Sequence, residues 1–313
     1  MKAYVRELSV AGALGLLLLI LAVAAPGFFG KQQLLATLTA TAPVLIAACG
    51  MTLVIISRQI DISIGSQFAL CSILGGLLAK AGVPMVVAAL GAVAAGGLMG
   101  IINGGLVAGL RLPSIVVTLA TMVTWREALR WWREGEFVRD LPDGFQWFGL
   151  GQAAGQAGII ASAVLLFLAL YLATKYLAAG RFVYAVGTDA EAARLAGVPP
   201  QWVTFAVFVV MGMFTGLAAL LNAIRFADVD PKTGTGLELQ TIAAAVVGGV
   251  AVSGGRGHLW GVLAGVLLLA CIAPALVFLQ FPPQWEKAIQ GGIILLAVAA
   301  DARRPLISNP ARS

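Results

Sequence analysis

Ionisable and amide side chains are scarce in this chain, so the few that interrupt its apolar runs are where chemistry is available. Asp61, Ser63, Ser66 and Gln67 form one group, at the entry to an apolar segment. Arg126 and Glu127 lie near the end of another, in Trp125-Arg126-Glu127-Ala128-Leu129-Arg130-Trp131-Trp132-Arg133-Glu134. There Arg126 and Arg130 share a helical face with Glu127 and Glu134, at spacings that allow charge pairing. Asn103, Thr118, Thr121, Asn222, Glu238 and Gln240 are scattered over other segments. A charge at the centre of a membrane helix costs ~2.5–3.5 kcal/mol on insertion scales. Hydroxyl, amide and occasional acid groups can replace the water that a many-hydroxyl solute sheds. The same groups also bond helices to one another, and the sequence leaves both readings open for each residue.

A second kind of site is the island 187–200, Gly-Thr-Asp-Ala-Glu-Ala-Ala-Arg-Leu-Ala-Gly-Val-Pro-Pro, between two long apolar segments. Thr188 and Glu191 have the spacing of a capping box, and Asp189 adds negative charge to the first turn. Ala190, Ala192, Ala193, Leu195 and Ala196 are good helix formers. Gly197 is a stop, and Pro199-Pro200 block continuation. The expectation is a short, self-sufficient helix outside the membrane. Ala192, Leu195 and Ala196 would be its contact face, with Asp189, Glu191 and Arg194 as its polar rim.

Other chemistry is missing from the sequence. No GxxxxGK[ST] phosphate loop is present, and Gly254-Gly255-Arg256-Gly257 lacks the lysine. The one histidine, His258, falls at a predicted membrane boundary. Cys49, Cys71 and Cys271 all lie in apolar segments with no CxxC pattern, which argues against a disulfide framework or metal site. No Ser/His/Asp set, carboxylate pair or HExxH motif appears. A membrane-embedded enzyme and a proton-coupled pump are both disfavoured, the latter for want of mid-span ionisable groups.

The elements that must carry these residues are membrane helices. Sixty per cent of the 313 residues are hydrophobic and 11% are charged, against about 25% charged in a soluble domain. The net charge of +6 reads as a topology signal rather than a nucleic-acid signal. Stretches of about 20 apolar residues predict an all-α polytopic membrane protein with about ten transmembrane helices. The spans are 8–29, 34–56, 63–80, 84–109, 113–132, 157–178, 202–223, 237–253, 258–279 and 284–301. The first reads as an uncleaved span. The third and eighth are short or rich in glycine and polar residues, so they must be buried in protein or line a cavity. The chain reads as one transmembrane domain over 1–313, with loops of note at 133–156, 179–201 and 224–236.

Ten spans put both termini on one side. Lys2, Arg6, Arg303, Arg304 and Arg312, with Arg58, Arg111, Lys175, Arg181, Arg194 and Arg256 in loops, point to the cytoplasm. Glu134, Glu136, Asp140, Asp143, Asp228 and Asp230 fall in the opposite loops. Glycines at Gly96-Gly97, Gly100, Gly104-Gly105, and at Gly261 and Gly265, are spaced for close helix approach. A faint echo links Ile60-Asp61-Ile62-Ser63-Ile64-Gly65-Ser66 with Val250-Ala251-Val252-Ser253-Gly254-Gly255-Arg256, either as a repeat or as shared Ser and Gly.

Several stretches, in order, resemble the permease subunits of carbohydrate-type ABC importers, the group with the ribose, xylose, arabinose, rhamnose and autoinducer-2 systems. Residues 60–66 are similar to "(I/L)DLSVGS". Asn103-Gly104-Gly105-Leu106-Val107 and 112–122 are similar to "NGxLV…lPxFIvTLGTM". The island is similar to "GxNxxAAxxxGI", and 233–249 to "GxGxELdaIAAvVlGG". Ser253-Gly254-Gly255-Arg256-Gly257 closes the set, and the likeness spans about residues 50–301. Glu127 and Ala120 stand where that pattern has glycine, and Thr188-Asp189 where Asn is common. The stretches 129–142 and 281–285 look most like rhamnose and autoinducer-2 permeases.

The resemblance implies two permease subunits, identical or sister chains, in a bacterial inner membrane. Two ABC ATPase subunits would bind ATP and Mg, and this chain would hold no cofactor. A periplasmic or lipid-anchored solute-binding protein would deliver the sugar. The island would be the cytoplasmic coupling helix, with Thr188, Asp189, Glu191, Ala192, Arg194, Leu195, Ala196 and Gly197 meeting the ATPase. Competing readings are a stand-alone secondary transporter or channel and, for substrate only, a branched-chain amino-acid permease.

Overall fold

A computed structural model describes residues 5–282 and 284–302. Among the described residues ten long or apolar helices are present: α1 (Val5–Ala24), α2 (Lys31–Ile56), α3 (Ile64–Lys80), α4 (Met85–Gly104), α5 (Ser114–Arg133), α6 (Gln152–Tyr176), then α9 (Pro200–Ala223), α10 (Leu237–Val247), α11 (Leu259–Phe278) and α12 (Trp285–Ala302). Between α6 and α9 lie α7 (Ala178–Thr188) and α8 (Ala190–Leu195). The long or apolar helices follow one another in the order of the expected spans, which bears out an all-α polytopic membrane protein. Lys2, Pro283, Arg303, Arg304 and Arg312 lie outside the described residues.

Proline and glycine punctuate these helices. Pro84 and Pro113 sit at the N-caps of α4 and α5, and Pro200 is the first residue of α9; there a missing N–H costs nothing. At the end of α3, Gly82 takes φ +81° and the Val83 N–H closes on Leu78 O. Past Gly104 the α4 ladder loosens into a π-turn, Gly105–Gly109, before the chain reverses.

Among the described residues five helices are long and apolar enough to cross a membrane: Lys31–Ile56, Met85–Gly109, Gln152–Tyr176, Pro200–Ala223 and Leu259–Phe278. Helix α2 is the central one, 89% buried along its apolar window, while α6 is peripheral at 22%. Around α2 pack α6, α9, α10 and α11. The outward faces of α1, α4 and α6 carry Leu16, Leu19, Val86, Leu90, Leu98 and Leu165, all exposed, as lipid contact requires.

The closest helix pair is α4 with α9. A Cβ on Gly96 would strike Gly212 O, and a Cβ on Gly212 would strike Gly96 O. Gly100 faces Phe208 O in the same way, and Gly216 faces Ala92 O. Gly265 meets Ala244 O, which brings α11 onto α10. The spaced glycines thus do what their pattern predicts: backbones approach without side chains between them.

Two of the crossings are irregular. Helix α3 starts only after the non-helical stretch 57–63. Helix α10 has 11 residues, ~16 Å at 1.5 Å per residue, about half a bilayer core. The rest of that crossing is made by the preceding loop, which descends along α3. Val229 touches Gly76, and Gly234 touches Gly65, 11 residues back along the helix, or ~16 Å. The eighth span is therefore a loop followed by a half-length helix, in place of a helix over 237–253.

One end of the bundle, here the Lys80 end, is tied by its loops. Val138 and Val229 form an antiparallel bridge. Lys80 Nζ donates to Arg139 O at 2.8 Å and lies 3.4 Å from Asp140. The Trp147 N–H donates to Ile224 O. At the other, Arg58 end, the stretches 56–58, 187–188 and 253–255 converge.

Candidate functional site

The first site is a buried polar network where α3, α4 and α5 meet. Asp61 is fully buried. Its Oδ1 accepts from the Ser63 N–H (2.9 Å) and hydroxyl (2.5 Å), and its Oδ2 accepts from Gln67 Nε2 at 3.2 Å. The Ser63 hydroxyl oxygen also accepts from Gln67 Nε2 and from Asn103 Nδ2, both at 2.8 Å. Thr121 Oγ1 donates to Asn103 Oδ1 at 2.9 Å. Just beside it, the Ile60 N–H donates to Ser114 Oγ and Thr118 Oγ1 donates to Ile60 O. Both backbone groups of Ile60, in the middle of the non-helical stretch 57–63, are satisfied this way, as burial demands. Gln67 Oε1 is buried with no partner.

Five residues picked from sequence, Asp61, Ser63, Gln67, Asn103 and Thr121, thus belong to one network, with Thr118 beside it. Ser66 does not join: its hydroxyl donates back to Ser63 O.

The second group lies further towards the Lys80 end. Arg126 Nη1 donates to Thr233 O at 3.3 Å. Gly65 is flanked by both Arg126 and Glu238: a Cβ there would lie 3.4 Å from Arg126 Nη2 and would strike Glu238 Oε2. The spacing in α5 predicts that Arg126 and Arg130 pair with Glu127 and Glu134. Only Arg130 with Glu127 pairs, at 3.6 Å and exposed. Arg126 turns instead to the descending loop, and Glu134 lies past the helix end with φ 49°. Asn222 Oδ1 accepts from Arg225 Nη1 at 3.0 Å. Gln240, one turn into α10, forms no side-chain hydrogen bond to either group.

Two cavities open beside this loop. One, about 520 Å³, is lined by Ser72, Phe137, Asn222, Asp228, Asp230 and Thr233. The other, about 730 Å³, is lined by Arg126, Glu127, Arg130, Trp131, Lys232 and Thr235 among others. Their mixture of carboxylate, amide, hydroxyl and aromatic groups suits a polar solute with apolar faces. The sequence signal that was missed is the cavity wall at 226–233, which reads only as a charged loop.

The third feature is the island. It is a helix of six residues, capped differently from the sequence expectation. Thr188 is the last residue of α7, and its hydroxyl donates to Tyr184 O. Asp189, with extended φ/ψ, is the N-cap: its Oδ1 accepts from the Glu191 and Ala192 N–H groups at 2.9 and 3.0 Å. Glu191, freed from any capping box, grips Arg194 through two hydrogen bonds. That bond raises the Arg194 pKa above its ordinary value. The reason for the shift in register is that Thr188 already has helical neighbours, while Asp189 sits at the kink.

The stop is as expected. Gly197 takes φ +82°, its N–H donates to Arg194 O, and the Val198 N–H donates to Ala193 O, the Schellman pattern. Ala193 is buried and Leu195 is 77% exposed, with Ala192 and Ala196 beside it. A large apolar side chain is therefore held outward on a fully capped turn.

Residues 33–298 match a family model described as branched-chain amino acid transport system / permease component. The chain belongs to this permease family. The Autoinducer 2 import system permease protein LsrC of Escherichia coli (strain K12 / DH10B) is 35% identical over 295 residues, covering 92% of this chain and 86% of that one. LsrC of Enterobacter sp. (strain 638) is 34% identical, covering 95% and 87%. The Ribose import permease protein RbsC of Escherichia coli (strain K12) is 32% identical over 307 residues, covering 97% and 96%. No solved structure matches. The permease is an all-α, multi-pass membrane protein, and its polar network and its capped turn both lie within the matched region.

Proposed function

We propose that the chain is the membrane-spanning subunit of an ATP-binding cassette importer for a sugar or sugar-like solute, with autoinducer-2 and rhamnose as the candidate solutes. The observation that carries the reading is the outward Leu195 on a doubly capped turn at the Arg58 end. A turn so presented fits a groove in another protein. The sequence has no phosphate loop of its own, so ATP and Mg belong to a partner ATPase. The names of the relatives, for autoinducer-2 and ribose, favour sugars over the branched-chain amino acids of the family description.

On this reading the Arg58 end is cytoplasmic, both termini are cytoplasmic, and the Lys80 end receives solute from a binding protein. The path runs past Asn222, Gln240 and Glu238, between Arg126 and Glu127, and down to the Asp61–Thr121 network. Thr124 and Glu127 are exposed on α5 alongside Leu119 and Val123. A carboxylate on the outside of a spanning helix faces water or protein rather than lipid, which supports a second permease chain across the path.

Reconstitution tests the reading. Proteoliposomes with the permease, its ATPase and its binding protein accumulate radiolabelled autoinducer-2, rhamnose or ribose when ATP is present. Those without the ATPase do not. Accumulation by the permease alone would establish a self-sufficient transporter instead.

A further inference from the structure

We propose that Arg58 and Arg111 are positioning residues, two guanidinium clamps through which displacement of α8 is delivered to α3 and α5 together. This rests on the coupling role proposed for α8.

The two arginines occupy matching places. Arg58 follows the end of α2 and Arg111 follows the π-turn that ends α4. Both have left-handed backbones, φ 62° and 56°, a conformation that residues with a Cβ adopt only when the surroundings hold them there. Each reaches one flank of the island. Arg58 Nη2 donates to Thr188 O at 2.6 Å, immediately before the Asp189 cap, and its Nε donates to Ser253 O at 2.8 Å. Arg111 directs Nε and Nη2 at the Gln201 amide, both 3.0 Å away, and assigning the amide oxygen to the guanidinium side gives both donors an acceptor. Gln201 follows Pro199-Pro200 at the start of α9.

The far side of each clamp reaches the polar network. Asp61 is three residues beyond Arg58, and Ser114 is three beyond Arg111. Those two stretches are joined by the Ile60 N–H bond to Ser114 Oγ and by the Thr118 bond to Ile60 O. The Ser63–Asn103–Thr121 bonds join them again, deeper in. Neither flank of α8 moves without pulling on the same network.

The Arg58 contact is also stiff. The Gly255 N–H donates to Ile56 O at 2.8 Å, and Tyr184 Oη donates to Gly257 O at 2.9 Å. A Cβ on Gly187 would strike Ile56 O, and one on Gly254 would strike Arg58. At Gly187 and Gly255 backbone meets the Ile56 backbone directly, and at Gly254 it meets the stem of the Arg58 side chain. A planar guanidinium with donors in a fixed fork holds two carbonyls at once, which an ammonium does less well. Both arginines are exposed, so their removal leaves the apolar core intact.

The test uses Arg58→Gln, Arg111→Gln, the double variant, and the two Arg→Lys variants. Each is reconstituted with the ATPase and binding protein and given radiolabelled autoinducer-2, rhamnose or ribose, whichever the binding protein retains. The quantities read are membrane abundance, ATPase co-purification, and ATP hydrolysed per solute moved. The expected result is normal abundance, retained ATPase and continued hydrolysis, with ATP per solute raised about tenfold in the double variant. The lysine variants fall between. An unchanged ratio overturns the proposal. So does loss of the ATPase or of the protein itself, since either makes the arginines scaffolding. Leu195→Glu separates this from the coupling role: if that variant transports normally, the role of α8 fails whatever the arginines do.

Discussion

Gly96 and Gly212 are mutual neighbours: each backbone occupies the place where the other's side chain would begin. Their helices, α4 and α9, approach as closely as main chains can, and dispersion between them holds the pair in a medium without a hydrophobic drive. Gly96→Ala and Gly212→Ala each force the helices apart, an overpacking cost of about 1–3 kcal/mol. Gly12→Ala, with open space around it, is the neutral control. Thermal melting in detergent should show a lowered midpoint for the first two and none for the third.

Leu195→Glu should abolish uptake at normal membrane abundance and release the ATPase on purification. The side chain supports no packing within this chain, so folding has no reason to suffer. Wild-type uptake by the variant would remove α8 as the coupling element.

Asp189→Ala removes the cap of α8 at a cost of about 1 kcal/mol. Thr188→Ala removes only a hydroxyl bonded back to its own helix. Limited proteolysis of the island should accelerate in the first and stay unchanged in the second. The reverse order would restore Thr188 as the cap.

Ser63→Ala takes the hub from the buried network, leaving the Asn103 amide N–H without its acceptor, Gln67 with Asp61 alone and Asp61 with one donor fewer. A buried group left unsatisfied costs about 1–3 kcal/mol. Ser66→Ala, outside the network, is the comparison. The melting midpoint of the first should fall well below that of the second.

The helices were legible because apolar length and proline punctuation are local signals. The succession of apolar helices, the small-residue face of α4 and the Gly197 stop all follow from residues near one another in sequence, whereas the partner of that face, Gly212 and Gly216 on α9, is more than a hundred residues away. The half-length α10 was less so, since a glycine-rich apolar run reads alike as helix or as loop at depth. The Thr188 cap failed for a related reason: Thr-x-x-Glu is a cap only if the threonine lies outside a helix, and α7 is set by packing of Val183 and Val186. Asp61, Ser63, Gln67, Asn103 and Thr121 could be picked singly, but their joining required three helices to be placed. The pairing of Arg126 was misread because its partner, Thr233, is 107 residues away.

The descent of residues 229–236 beside α3 has a mechanical consequence. A full-length helix resists sliding, since its ladder of hydrogen bonds makes it a rod that shifts only as a whole. Here half of one crossing is a strand of turns anchored at three points: the Val138 bridge, Arg126 at Thr233, and the glycine contact with Gly65. Turns reshape by rotation about a few backbone bonds. On one side of its core the permease therefore has a crossing whose outer half can bend at its turns without a whole helix having to slide past α2 and α9.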